Sequence, residues 1–181
     1  SEIEATAVPV EKGCGQLRVT GIVEEEELPG SGGQKIRRKS MARGSVENVL
    51  PVLRRNLHVE PRDYDIHVNF PGGVPIDGPS AGITMATVIY SAITGIAIDN
   101  KLAMTGEVSI RGQVKPIGGV VAKVEAALEA GVTRVIIPQD NWQASFEHLE
   151  GITVIAVTEL SEVIDLALER PVSLSKDDNR V

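Results

Sequence analysis

The chain has 181 residues, 42% hydrophobic and 24% charged, the proportions of a globular domain with a sizeable core. Its net charge of -7 and pI near 5.0 argue against nucleic-acid binding driven by overall charge. No run approaches the ~18 apolar residues of a membrane span, no basic-then-apolar leader opens the chain, and Cys14, the single cysteine, excludes an internal disulfide and fits a reducing cytosol.

Residues 1–14 read as an arm whose acidic start, Ser1-Glu2-Ile3-Glu4, has the look of a cut or linker point. Leu17, Val19, Ile22 and Val23 mark a strand that runs into Glu24-Glu25-Glu26-Glu27 and a turn at Pro29–Gly33. The return Lys35-Ile36-Arg37-Arg38-Lys39 completes a hairpin with opposite charges facing, a better use of that basic run than a nucleic-acid patch. Ser45–Leu57 has helical spacing, with Pro51 predicting a kink or a late start. A strand over Tyr64–Phe70 and a loop over Pro71–Pro75 follow. The next helix, from Ala81 to about Ile93, is apolar almost all round and so central.

Short strands are predicted at Leu102–Thr105, Glu107–Ile110 and Gln113–Ile117, and Gly118-Gly119 opens a helix from Val120 to Ala130. Strand Arg134–Ile137, helix Asn141–Leu149, strand Ile152–Val157 and helix Leu160–Leu168 then alternate. That alternation predicts α/β (α+β) packing, with parallel pairing in the C-terminal half. Residues 171–181 read as a polar, flexible tail.

The chemistry centres on Asp77-Gly78-Pro79-Ser80-Ala81-Gly82, between a strand and a buried helix. A serine at a glycine-flanked helix entrance has an exposed hydroxyl beside unpaired N–H groups. It suits a nucleophile with an oxyanion site, or a phosphate cradle. The hexapeptide reads equally as a plain helix start, with Asp77 as cap and Pro79 in the first turn. None of His58, His67 and His148 lies in a glycine-punctuated loop, which speaks against a Ser-His-Asp triad. A lysine serves as base only where burial and local fields favour its neutral amine. Lys123, on the first turns of the helix after Gly118-Gly119 among Val120, Val121 and Val124, is the lysine placed for that. The alternative is a lysine stem lying over apolar surface with its head in water.

Three blocks resemble one family: Phe70 to Gly82, Met104 to Val114 (Met-Thr-Gly-Glu-Val-Ser-Ile-Arg-Gly-Gln-Val), and Pro116 to Lys123 (Pro-Ile-Gly-Gly-Val-Val-Ala-Lys). In order, and with Ser80 and Lys123 43 residues apart, they are similar to the proteolytic domain of Lon, the ATP-dependent serine protease, nearest in flavour to its bacterial LonB branch. The similarity runs from about residue 15 to 170, the extent expected of the domain. It implies a Lon protease-like fold, related to ribosomal protein S5 domain 2, with an N-terminal hairpin followed by a mixed sheet with packed helices. It also implies a Ser-Lys dyad: Ser80 as nucleophile, Lys123 as base, Thr105 orienting the amine, and backbone N–H groups near Gly78, Ser80 and Ala81 as oxyanion donors. Asp77 would cap the helix, or pair with Lys123 and hold the site silent.

No Gly-x-x-x-x-Gly-Lys-Ser/Thr loop occurs, so the chain itself calls for no cofactor; the family carries an upstream ATPase module that would use ATP and Mg. The resemblance therefore implies an excised protease domain acting on polypeptides, cytoplasmic, with hexameric rings in the full-length protein. Two rivals stand. A GHMP-type small-molecule kinase shares a related fold, but its phosphate loop carries more serines. A non-catalytic Lon-like module of a DNA-repair ATPase would lack the serine and lysine, and both are present here.

Overall fold

The computed structural model describes residues 2–22, 25–29, 35–39, 41–72 and 77–169. In chain order the elements are β1 (Glu4–Pro9), β2 (Leu17–Thr20), β3 (Glu25–Pro29), β4 (Lys35–Lys39), α1 (Ala42–Leu57), β5 (Tyr64–Asn69), α2 (Gly82–Thr94), β6 (Leu102–Met104), β7 (Glu107–Val108), β8 (Val114–Lys115), α3 (Val120–Glu129), β9 (Arg134–Pro138), β10 (Thr153–Val157) and α4 (Leu160–Ala167). The strands form two three-stranded sheets, ordered β1-β5-β2 and β10-β9-β6, and two hairpins, β3-β4 and β7-β8. The second sheet is parallel throughout, as the alternation of strand and helix predicts. In the β3-β4 hairpin Glu25, Glu26 and Glu27 stand in register with Lys39, Arg38 and Arg37.

The sheets share a core. Ile66 and Val68 of β5, Val46, Val49 and Leu53 of α1, Ile83, Met85 and Ile89 of α2, Ile136 of β9 and Val163 of α4 are buried together. On the other face of β9, Val135 and Ile137 join Val120, Val124 and Ala127 of α3 in a smaller cluster. The strand's period of two thus assigns neighbouring residues to opposite layers. With few aromatics available, aliphatic residues carry both clusters.

Three sequence expectations are corrected. The arm read at 1–14 contains β1, which pairs antiparallel with β5 from Glu4↔Asn69 to Pro9↔Tyr64. Ala5 and Ala7 of β1 pack against the main core, and alanine's weak strand preference hid the alternation. Helix α1 begins at Ala42, before the expected Ser45, and runs unbroken through Pro51. Pro51 and Glu47, whose carbonyl the proline cannot serve, both face solvent, where water can take the freed acceptor. The helix expected at Asn141–Leu149 is replaced by two short 3-10 turns, Gln139–Asn141 and Ala144–His148, with Trp142 and Gln143 extended between them. Trp142 and Phe146 meet edge to face at 5.9 Å, and Asn141 spends its side chain on a distant backbone instead of a helix. The tail expected at 171–181 lies outside the described residues, as does most of the loop expected at 71–75.

One polar junction locks the parallel sheet to α4. Arg134 Nη2 donates to Asp99 Oδ2 at 2.6 Å and to the Leu166 carbonyl at 3.1 Å, while the Lys101 N–H donates to Asp99 Oδ1 at 2.8 Å. The Lys101 N–H and then the Arg134 guanidinium hold the Asp99 carboxyl below its ordinary range. A pKa depressed in the folded state adds stability that is present above the unfolded value near ~3.9 and is lost as pH falls through the folded value. Asp99→Asn should therefore lower stability at neutral pH and flatten the acid limb of a stability–pH curve below about pH 4. An acid limb identical to that of the parent would contradict this role. Pro51→Ala, which supplies the missing N–H, should raise the unfolding free energy by about 1–3 kcal/mol, read as a higher urea midpoint. An unchanged or lower midpoint would count against helical geometry at that position.

Candidate active site

Ser80 lies in a single 3-10 turn, Pro79–Ala81, that feeds directly into α2. The turn's cap is Gly78, and no side chain caps it, so Asp77 does not play the capping role expected of it. The backbone of Asp77 contributes instead: Ser80 Oγ donates to the Asp77 carbonyl at 3.1 Å. The serine is 8% exposed, a nearly buried alcohol at a helix entrance.

The turn is stitched to the segment after β6. The Ser80 carbonyl accepts from the Gly106 N–H at 2.9 Å and from Thr105 Oγ1 at 3.1 Å, and the Ile83 N–H donates to the Gly106 carbonyl at 3.0 Å. Thr105, itself 7% exposed, is held in turn by its N–H, which donates to the Ile136 carbonyl of β9 at 3.0 Å. Such close approach requires glycine. A Cβ on Gly82 would lie 2.9 Å from the Val108 N, and one on Gly106 would lie 2.9 Å from Val114 Cγ1. On the other flank, a Cβ on Gly78 would meet the Ala42 N of α1 at 2.5 Å. These contacts explain in packing terms why glycines surround the serine.

Lys123 sits half-buried one turn into α3, its N–H donating to the Gly119 carbonyl at 3.1 Å. Gly119 starts that helix in the left-handed region (φ 67°), a conformation that favours glycine. Val120 and Val124 on either side of the lysine are buried in the smaller cluster, which fixes the helix face. The structure therefore brings Asp77, Gly78, Ser80, Ala81 and Thr105 into one bonded unit. Among the described residues no hydrogen bond or ion pair joins Lys123 to Ser80, Thr105 or Asp77. Asp77 is exposed, so the silencing pair with Lys123 is not the arrangement seen. Thr105, expected to hold the lysine amine, donates its hydroxyl hydrogen bond to the Ser80 carbonyl. The Ala81 N–H, a candidate oxyanion donor, is engaged within the turn with the Gly78 carbonyl at 3.2 Å.

A cleft of about 270 Å³ adjoins the turn, lined among others by Met41, Ser45, Pro79, Gly82, Glu107 and Val108. Two of the histidines have other places: His67 is occupied with Thr20 Oγ1 at 2.8 Å across the first sheet, and His58 is the C-cap of α1. Among the described residues no cluster of His, Cys, Asp or Glu is arranged to hold a metal, and no helix is long and apolar enough to cross a membrane. Sequence reasoning missed Asn141, whose side chain bonds both backbone groups of Ile117 just before α3. An asparagine three residues past a strand end was the available signal, but its partner 24 residues away could not be read.

Ser80 thus stands nearly buried in a glycine-clamped turn braced by Thr105, and Lys123 stands half-buried at the head of α3. Residues 2–170 match the family model of the Lon protease (S16) C-terminal proteolytic domain, and the chain belongs to that family. It is 56% identical over 94% of its length to Lon protease 2 of Bacillus subtilis, covering 30% of that protein. It is 44% identical over 72% of its length to the Archaeal Lon protease of Halobacterium salinarum, and 39% identical over 90% to the Lon protease of Clostridium beijerinckii, covering 19% of each. The chain thus spans under a third of the length of these relatives.

The Gly82 contact yields a direct expectation. Gly82→Ala should push the serine turn off the 106–108 backbone and lower stability by about 1–3 kcal/mol in a denaturant titration. Wild-type stability would show that the approach is not tight.

Proposed function

We propose that this chain is the peptide-cleaving part of an ATP-dependent Lon-type serine endopeptidase, working through a Ser80–Lys123 dyad. The observation that carries the reading is the nearly buried Ser80 held in its glycine-clamped turn, in a chain of this family that also keeps a lysine at the head of α3.

Ser80 Oγ attacks the carbonyl carbon of the scissile peptide bond as its proton passes to the neutral amine of Lys123. The hydroxyl must first turn from the Asp77 carbonyl toward the amine, a rotation about one side-chain bond. The resulting oxyanion is met by backbone N–H groups at Gly78 and Ser80; the Ala81 N–H would have to leave the Gly78 carbonyl to take part. Collapse of the tetrahedral intermediate breaks the C–N bond, and the proton on Lys123 goes to the departing amine. Water then attacks the acyl-serine, giving its proton to Lys123, and the ester bond breaks to return the Ser80 hydroxyl. Thr105 holds the serine turn in place through the Ser80 carbonyl, and its oxygen keeps lone pairs that can accept from the Lys123 ammonium between these steps. Flexible polypeptide is the substrate, its side chains entering the cleft beside Pro79 and Val108.

The wider reading follows the longer relatives. The full-length protein would carry an ATPase module that uses ATP and Mg, assemble as a hexameric ring that encloses the active sites, and work in the cytoplasm. The fold is read as that of ribosomal protein S5 domain 2, which the mixed α/β layers support.

Ser80→Ala should reduce hydrolysis of an unstructured fluorogenic peptide by the full-length protein by roughly 10³-fold or more, and should abolish labelling by a fluorophosphonate. Lys123→Ala should do the same, and Lys123→Arg should not restore activity, because a guanidinium does not become a neutral base. Labelling that persists in Ser80→Ala, or wild-type turnover in Lys123→Arg, would refute the dyad.

A further inference from the structure

We infer that Asn141 is a positioning residue for the proposed base: it clamps the entry to α3 and so sets where Lys123 stands. The inference rests on the dyad reading above. Helix α3 begins without a side-chain cap, and its N-cap, Gly119, follows a second glycine. Both glycines are exposed, and a Cβ added at either would meet nothing within 4 Å, so no neighbour crowds the side where a side chain would stand. An exposed glycine pair has a wide choice of backbone angles, and the orientation of the helix that carries Lys123 depends on the angles it takes. The only bonds to Ile117, the residue before the pair, come from Asn141 among the described residues. Its Oδ1 accepts from the Ile117 N–H at 2.8 Å, and its Nδ2 donates to the Ile117 carbonyl at 2.9 Å. One planar amide holding both polar groups of one residue fixes the orientation of that peptide as well as its place.

The anchor is rigid because of where it stands. Asn141 ends the 3-10 turn Gln139–Asn141 that follows β9 directly. The same strand supports the nucleophile's side, since the Ile136 carbonyl accepts from the Thr105 N–H, and Thr105 Oγ1 donates to the Ser80 carbonyl. Strand β9 therefore runs between both halves of the proposed dyad: near its middle it holds Thr105, and just past its end it holds the hinge of α3. Val120, the first residue of α3, and Val124 are buried in the smaller cluster, and Ile117 packs against it, so apolar contacts hold the chain on both sides of the glycine pair. Asn141 adds what apolar contacts lack, a fixed orientation of the peptide groups that lead into that pair.

The test compares variants of the full-length protein by peptide turnover, fluorophosphonate labelling rate and thermal unfolding. Asn141→Ala should lower kcat and the labelling rate roughly 10- to 100-fold, with KM within about threefold, because a misplaced base costs rate and not peptide binding. Asn141→Asp keeps the size and the acceptor but loses the donor to the Ile117 carbonyl. It should also lose kcat, and it serves where the alanine variant fails to fold. Ile66→Ala, a buried position of β5 in the main core, is the control for loosening without touching α3 or its clamp. It should lower the unfolding temperature at least as much while keeping kcat within about threefold. Wild-type kcat in both Asn141 variants, or an equal loss in Ile66→Ala, would overturn the assignment. Lys123→Ala in the same series separates the two readings. If it retains turnover, the dyad falls; if it is dead while the Asn141 variants behave as wild type, the dyad stands and this inference alone falls.

Discussion

The carbonyl of Ser80 accepts two hydrogen bonds, from the Gly106 N–H and from Thr105 Oγ1, and the site depends on that junction. A helix entrance is normally a loose place, since its first N–H groups lack partners and its chain arrives from a loop. Here the entrance is held by backbone on one side and by the start of α1 on the other, at distances that no Cβ would permit. Burial strengthens each of these bonds, because competing water is excluded from Ser80 and Thr105. A serine held in this way has its backbone fixed in place, with its hydroxyl resting on the Asp77 carbonyl.

Strand β9 extends this constraint through the molecule. Its alternating residues divide the core into two clusters, one under α1 and α2 and one under α3. The Ser80 turn feeds α2 of the first layer and Lys123 stands on α3 of the second, and the strand runs between those layers. Both candidate residues stand at helix entrances with glycine neighbours, and each entrance is tied back to this strand or its exit by a polar side chain: Thr105 for one, Asn141 for the other. Rigid layers thus carry chemistry that sits on otherwise mobile backbone. The chain belongs to the Lon protease (S16) proteolytic family, and it spans under a third of the length of the relatives compared with it.

Much of this was legible in the residues, and the misses share a cause. The apolar runs of α1 and α2 and the alternation of β9, β10 and α4 declare themselves, because each element buries a face whose period is local. Ser80 and Lys123 could be singled out from glycine punctuation and helix placement. By contrast β1, with Ala5 and Ala7 as its inward residues, has too weak a local signal and exists because β5 and α2 offer it an edge and a surface. The segment 139–149 looked helical by spacing, yet Asn141 gains more from the Ile117 backbone than from a helix, and Trp142 packs on Phe146. Pro51 misled in the opposite direction: its penalty is softened on the exposed side of an amphipathic helix.

What the sequence determined by itself were the elements with a local period and the residue types able to carry the chemistry: a glycine-flanked serine, a threonine and a lysine at the head of a helix. Only the tertiary structure decided what each of them touches, placing the hydroxyl of Ser80 on the Asp77 carbonyl, that of Thr105 on Ser80, and the amide of Asn141 on Ile117. The reason is physical. Hydrophobic periodicity is written along the chain within a few residues, whereas a hydrogen bond between groups 24 or 25 positions apart exists only once two layers have packed.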